Sequence, residues 1–224
     1  MSTILSIDTS TTVCSAALHT DGKLIALEIT HTPNSAASQL AVMIDKLLKQ
    51  SSEKPGAVAV SSGPGSYTGL RIGVATAKGI CYALSLPLIA VNSLEQMATQ
   101  VRAGDHGNAM LCPMIDARRM EVYTMLFNDK LDVIEPVQAR VIDDSSYADI
   151  LNYRKIFFFG NGSGKCREVI NHPNAKFIDD IFPSAEWMGA IAFEAFKNKK
   201  FVAVGDFEPL YLKDFIAKKP KSLV

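Results

Sequence analysis

The stretch Ser61–Gly79, SSGPGSYTGLRIGVATAKG, packs five glycines, a proline and a run of hydroxyl side chains against the start of a helix. Glycine in a helix interior is less favourable than alanine by about 1 kcal/mol, so something must come close to this backbone and offset that cost. The preceding Ala57–Gly63 (AVAVSSG) is a short apolar run and reads as a buried strand. Strand, glycine turn and helix form one unit of an α/β sheet, and the place of that unit in the chain sets the fold. Upstream, TILSIDTS reads as a strand, and TVCSAALHTDGKLIALEITH reads as two more joined at Asp21-Gly22, a hairpin-turn pair. NSAASQLAVMIDKLLKQ follows as a helix, with Ala36, Leu40, Met43, Ile44, Leu47 and Leu48 at helical spacing. Pro55-Gly56 breaks the chain. Downstream come the helix GLRIGVATAKGICYAL, the strand LIAVNS, and the helix SLEQMATQVRA with Ser93 as N-cap.

After Ala103–Asn108 (AGDHGN) the pattern restarts. MLCPMIDA and EVYTMLFND form a strand pair, and LDVIEPVQARVI is a third strand whose Pro136 points to an edge or a bulge. DDSSYADILN is a short helix, KIFFFGNG a strand, GKCREVIN a helix and SAEWMGAIAFEAFKNKK a longer one. The tail AKKPKSLV reads as frayed. Two tandem β-β-β-α-β-α units imply an α/β fold of the duplicated actin/hexokinase/Hsp70 type (ASKHA, ribonuclease-H-like). The units are residues 1–103 and 104–224, with the helix after Ser184 able to pack back on the first.

With 224 residues, 48% of them hydrophobic and 21% charged, the chain can bury a real core. Its 23 basic and 23 acidic residues cancel, so no strong field draws it to nucleic acid or to an anionic membrane. Cys14, Cys81, Cys112 and Cys166 lie far apart with no CxxC pair, which argues for reduced thiols in a cytosolic protein. MSTILSIDTS lacks a basic leader region, and runs such as LSLPLIAV fall short of the roughly 20 residues a membrane span needs.

Four stretches invite a functional reading. In the glycine stretch, Gly69, Gly73, Ala77 and Cys81 form a small-residue ridge at four-residue spacing, suited to close helix packing, internal or with a second chain. The turn before it offers backbone N–H groups with Ser62, Gly63, Gly65, Ser66 and Thr68: an anion cradle or a tight strand–helix turn. In IDTSTT, Asp8, Thr9 and Ser10 sit where nucleotide-binding members of the duplicated fold hold phosphate, or they cap a strand through an Asx-type turn. GNGSGKC fails the Walker A spacing, since three residues separate Gly160 from Gly164 and Cys166 replaces the hydroxyl. Gly160 and Gly162 are left as a strand-to-helix turn near an adenosine, or a plain turn. IDARRMEVY holds Asp116, Arg118, Arg119 and Glu121 on a hairpin; alternation puts Arg119 and Glu121 on one face, paired with each other, with a partner chain, or solvated. The lysines at 197, 199 and 200 and at 218, 219 and 221 read as a solvated helix end and a loose tail, or as a weak RNA contact. The histidines are scattered without HxxxH or HExxH, and no serine lies in G-x-S-x-G, so neither a zinc peptidase nor a serine hydrolase is indicated.

Taken together, ILSIDTSTTVCSAAL, AVSSGPGSYTGLRIGVATAKGI, LIAVNSLEQMA, IDARRMEVY and FEPLYLK resemble the TsaB family of tRNA threonylcarbamoyladenosine biosynthesis, in the family's order and across nearly the whole chain. The resemblance implies a noncatalytic, glycoprotease-like relative of the transferase TsaD. It implies a heterodimer with TsaD through N-terminal helices, the ATPase TsaE at their junction, and homodimers when alone. It also implies no cofactor or metal of its own, ATP only at the joint complex, tRNA met at most indirectly, no membrane and a cytoplasmic setting. TsaD-like sequences carry an acidic pair where this chain has Thr12 and Val13, and two histidines on a helix matching Asn34–Gln50, which here has none. Asp8, Thr9, Ser10, Ser62, Gly63, Gly65, Gly160 and Gly162 would then be a degenerate phosphate corner. The ridge Gly69, Gly73, Ala77, Cys81 and the stripe Ala36, Leu40, Met43, Leu47 would receive the partner's helices, with Gly73→Leu breaking assembly but not the monomer. The alternatives are a small ASKHA-type phosphotransferase using Asp8 and the glycine turns, or a glycoprotease-like peptidase.

Overall fold

The computed structural model describes residues 2–33, 35–104 and 106–213. The tail lysines at 218, 219 and 221 and the helix start expected at Asn34 lie outside the described residues. The first lobe begins with β1 (Thr3–Asp8), β2 (Cys14–Thr20), β3 (Lys23–Thr30), α1 (Ala36–Gln50), β4 (Ala57–Gly63), α2 (Tyr67–Leu84), β5 (Leu88–Asn92) and α3 (Ser93–Arg102). The second contains β6 (Met110–Asp116), β7 (Glu121–Phe127), β8 (Val133–Val141), α4 (Ala148–Leu151), β9 (Ile156–Phe159) and β10 (Ala175–Ile178). The chain then returns to the first lobe as a 3-10 turn, Ala185–Met188, and α5 (Gly189–Lys197).

The two sheets share one topology: β3-β2-β1-β4-β5 and, read in the same sense, β8-β7-β6-β9-β10. In each, the first strand pairs antiparallel with the second and parallel with the fourth. This is the duplicated ASKHA architecture.

The first sheet is covered on both faces, which explains why β1 is buried along its whole length and β4 everywhere but Ser62. Alternation sends Leu5, Ile7, Val58 and Val60 toward α1 and α2. It sends Ile4, Ala57 and Ala59 toward Ala185, Met188 and Ala192 of the returning segment. α3 lies between the lobes, placing Leu94, Met97 and Val101 against Leu111, Ile115 and Phe159. A fully buried leucine of this kind contributes about 2 kcal/mol, so α3 joins the two lobes, while the returning segment completes the core of the first. The hairpin turn falls at Asp21 and Gly22, both with positive φ (50° and 81°). Pro136 sits in β8, an edge strand, at a register shift.

Several elements differ from the sequence pattern. The N-cap of α3 is Asn92, whose side chain accepts from Leu94 N–H, and Ser93 is already helical. GKCREVIN forms only a 3-10 turn, Gly164–Cys166, too short in apolar spacing to build a helical stripe. SAEWMGAIAFEAFKNKK divides at Gly189, which lies against the His19 ring. β10, four residues of AKFI, has no alternation long enough to be read from sequence.

Candidate functional site

The ends of β1 and β4 meet at the corner where the sequence places an anion cradle. The chain fills that corner itself. The Asp8 carboxylate is wholly buried. It accepts from Ser10 N–H at 3.0 Å, from Ser10 Oγ at 3.0 Å and from Gln96 Nε2 at 2.7 Å. Burial pushes its pKa up, and the donors from Ser10, Gln96 and Ser61 pull back only part of the way. The same Gln96 amide oxygen accepts from Ser184 N–H at 3.1 Å, and Ser61 Oγ bonds Ser93 Oγ at 2.8 Å. Ala185 N–H donates to Ser15 Oγ at 2.9 Å. One buried polar network therefore ties β1, β4 and α3 to the returning C-terminal segment. The network was not legible in sequence, because Gln96, Ser15 and Ser184 have no spacing relation to Asp8.

The small-residue ridge of α2 faces this corner and not a partner, which corrects the sequence reading. Gly69 and Gly73 are buried. A β-carbon at Gly69 would run into Thr9 O, and one at Gly73 into Thr9 Oγ1, whose hydroxyl donates to Gly69 O at 2.7 Å. Gly65 lies against Ser10 O, which accepts from Ser66 N–H at 2.6 Å. The Thr9–Ser10 turn is thus the body that needed to come close to the glycines. Ala77 and Cys81 continue the ridge into the core, together with Leu40, Met43 and Leu47 of α1, while Ala36 packs at its margin. Gly73→Leu would consequently damage the monomer, and it is no clean test of assembly.

The remaining corner glycines are also covered. Gly63 lies under Leu210, whose N–H donates to Ser62 O at 2.7 Å. Gly160 abuts Met114 O and the Met97 methyl, and Gly162 the β6 backbone at Ile115 and Asp116. Leu210 belongs to FEPLYLK, whose physical role spacing does not reveal. Lys78 Nζ holds this segment through Gly205 O at 2.8 Å and Phe207 O at 3.2 Å. Tyr211 stacks near Tyr67 with centroids 4.9 Å apart. Lys213 reaches across to pair with Glu121 of β7, so Glu121 is not the partner of Arg119. All four cysteines are free and buried; burial pushes the thiols of Cys14, Cys81 and Cys166 up to about 11, which leaves them poor nucleophiles.

What the helices leave outside is a second row, in which the small residues Ala75 and Gly79 of α2 and Ala37 and Ala41 of α1 are flanked by larger ones. On α2 it runs through Arg71, Ala75, Gly79 and Tyr82, and on α1 through Ala37, Ala41 and Val42. Tyr82 is 87% exposed and Val42 61%. A β-carbon on Gly79 would meet nothing within 4 Å.

The fold is that of an ASKHA protein, and the corner at Asp8 is filled by the chain's own Thr9–Ser10 turn. It overlays on the ethanolamine utilization protein EutJ from Carboxydothermus hydrogenoformans with a TM-score of 0.51 at 10% identity, covering 86% of this chain and 90% of that one, a likeness of fold alone. YeaZ from Pseudomonas aeruginosa fits far more closely, with a TM-score of 0.82 at 27% identity over 95% of this chain and 100% of that one. The family model for TsaD, tRNA N6-adenosine threonylcarbamoyltransferase, matches residues 32–207. The tRNA threonylcarbamoyladenosine biosynthesis protein TsaB of Bacillus subtilis (strain 168) is 38% identical over 198 residues, 85% of this chain and 81% of the relative. That of Escherichia coli (strain K12) is 31% identical over 228 residues, 96% of each. The chain belongs to the TsaB family, and its role lies in tRNA threonylcarbamoyladenosine biosynthesis. Among the described residues no helix is long and apolar enough to cross a membrane.

Proposed function

We propose that the chain is a noncatalytic subunit of the threonylcarbamoyl transferase, docking a TsaD-type subunit on the outward face of α1 and α2 and completing the site where TsaE joins. ATP acts at that joint complex, and a second copy of this chain takes the same face when TsaD is absent. One observation carries the reading: Gly79, exposed in the middle of an 18-residue helix with open space around it. A solvated glycine there costs about 1 kcal/mol relative to alanine, and unlike Gly69 and Gly73 it meets no part of its own chain. A closely approaching helix from a partner supplies the missing contact, and Ala37, Ala41, Val42, Ala75 and Tyr82 supply its small and apolar surroundings. The absence of chemistry fits Asp8, whose oxygens are already saturated by protein donors.

The test is Ala75→Arg/Gly79→Trp, compared with the parent by size-exclusion chromatography with a TsaD-family subunit. The parent elutes as a complex and the variant as separate chains, while the variant's melting temperature stays within a few degrees. Co-elution of the variant overturns the docking face. Magnesium-ATP turnover by the chain alone would establish a phosphotransferase instead.

A further inference from the structure

The β6–β7 hairpin carries an arrangement that neither the core nor the docking face uses. Its tip is Arg118-Arg119-Met120, closed by Ala117 N–H to Glu121 O at 3.1 Å and Glu121 N–H to Arg118 O at 3.2 Å, and both arginines lie in the left-handed region, with φ of 71° and 51°. Turns that place two successive residues there draw asparagine and glycine, because a side chain bearing a β-carbon is strained. Here two long cationic residues hold the position. The strain is braced from outside the tip. Asp116 Oδ1 accepts from Arg118 N–H at 3.0 Å, and Asp116 N–H donates to Asn161 Oδ1 at 3.0 Å. Lys165 pairs with Asp116 and donates to Glu121 O at 2.7 Å, while Lys213 pairs with Glu121. Supports from two segments outside the hairpin, Asn161 with Lys165 and Lys213, thus fix the tip.

The charges follow from that bracing. Both carboxylates flanking the tip are matched by lysines, so the arginines remain as its net charge. Arg118 and Arg119 are exposed, and neither guanidinium has a hydrogen bond or ion pair among the described residues. On a chain with a formal net charge of zero, this is a local, rigidly displayed positive point.

We propose that Arg118 and Arg119 contact the phosphodiester backbone of the tRNA being modified, a direct contact where the family resemblance implies an indirect one at most. The inference rests on the family's role in tRNA modification and is independent of the α1–α2 docking face. Guanidinium forks match phosphate oxygens bidentately. The tip lacks the apolar surround in which an arginine becomes a protein–protein anchor, since Met120 is only half exposed and Ala117 is buried. An acidic protein surface is therefore the less suited partner.

The test replaces the pair by the turn-compatible sequence, Arg118→Asn/Arg119→Gly, and by the charge-retaining Arg118→Lys/Arg119→Lys. Fluorescence anisotropy follows binding of a labelled, unmodified tRNA transcript to the full chain, alone and with a TsaD-family subunit, over a series of salt concentrations. The Asn-Gly variant is expected to melt no lower than the parent, to bind tRNA about tenfold more weakly, and to lose about one to two from the magnitude of the salt slope. The lysine variant keeps most of that slope. Equal binding by parent and Asn-Gly variant in both preparations, or no binding by either, overturns the proposal. So does unchanged tRNA binding with lost co-elution, which assigns the tip to a protein partner. Failure of the parent to co-elute with the TsaD-family subunit counts against the docking face alone.

Discussion

Each lobe ends its first strand on an aspartate, in the closely similar stretches IDTS and IDAR, and has a glycine with φ near 100° at the end of its fourth strand (Gly63, 97°) or just after it (Gly160, 100°). The backbones repeat; the environments do not. Asp8 is sealed by Ser10 and Gln96 inside the molecule, whereas Asp116 is exposed beside Lys165. In the first lobe the turn after the aspartate, Thr9–Ser10, drops into the notch of α2. In the second lobe no long helix follows the fourth strand, only a 3-10 turn, so the turn after Asp116 has no helical notch to drop into and is displayed outward, braced from its base by Asn161 and Lys165. The helix after the fourth strand thus decides whether the corner becomes a keystone or a displayed tip.

The sharpest way to break this contrast is to fill the notch. Gly69→Ala puts a methyl into a backbone carbonyl, which cannot retreat without moving the Thr9 turn. The expected loss is about 3 kcal/mol, the upper part of the usual range for overpacking, or roughly 6–12 °C in a domain of this size. Gly164→Ala, beside the second corner, meets nothing within 4 Å and should stay within about 0.5 kcal/mol. Thermal melts of the two variants decide it; equal midpoints would show that the two corners are packed alike.

A smaller effect separates the aspartates. In Asp8→Asn the new amide nitrogen faces Gln96 Nε2, and turning the Gln96 amide over would strand Ser184 N–H. One buried polar group is left unsatisfied, at a cost of about 1–3 kcal/mol. Asp116→Asn removes a partly exposed ion pair, worth about 0–1 kcal/mol. Urea titration of both variants gives the comparison, and a tolerated Asp8→Asn would mean that the network does not hold the returning segment on the first lobe.

The duplicated order of strands was legible because hydrophobic runs, the Asp21-Gly22 turn and the glycine stretch are local signals. The residues alone make Asp8, Thr9 and Ser10 a phosphate corner or an Asx-type turn, and the ridge of α2 a separate packing surface; only the structure sets the Thr9 turn into that ridge. Helical spacing shows that Gly69, Gly73 and Ala77 share a face, and it cannot say whether that face looks inward or outward. Gly79 has the same composition and the opposite orientation. Gln96, Ser184 and His19 escaped notice because each bonds a residue at least 13 positions away, and a single long-range hydrogen bond leaves no periodic trace.

His19 gives the last and mildest way to sharpen the contrast, since it anchors the returning segment to the first lobe only. Its ring is 1% exposed; Nδ1 lies 3.1 Å from Ser6 Oγ and Nε2 3.1 Å from Glu186 O. The carbonyl can only accept, so Nε2 carries the proton and donates, and Nδ1 accepts from the serine. Burial lowers the pKa of His19 below the usual 6.5, with the bond to Glu186 O restoring part of it. Below about pH 6.5 the unfolded chain therefore takes up a proton that the folded chain refuses. Stability contributed by the neutral ring is complete above that pH and is lost as the pH falls toward the lowered folded-state value. The melting temperature of the parent should decline between about pH 7 and pH 5. His19→Gln, which keeps a donor for Glu186 O and has no charge to gain, should flatten that decline, although its midpoint at pH 7 is lower. An equally steep profile in the glutamine variant would place the titrating group elsewhere, and with it the pH-sensitive anchor of the returning segment.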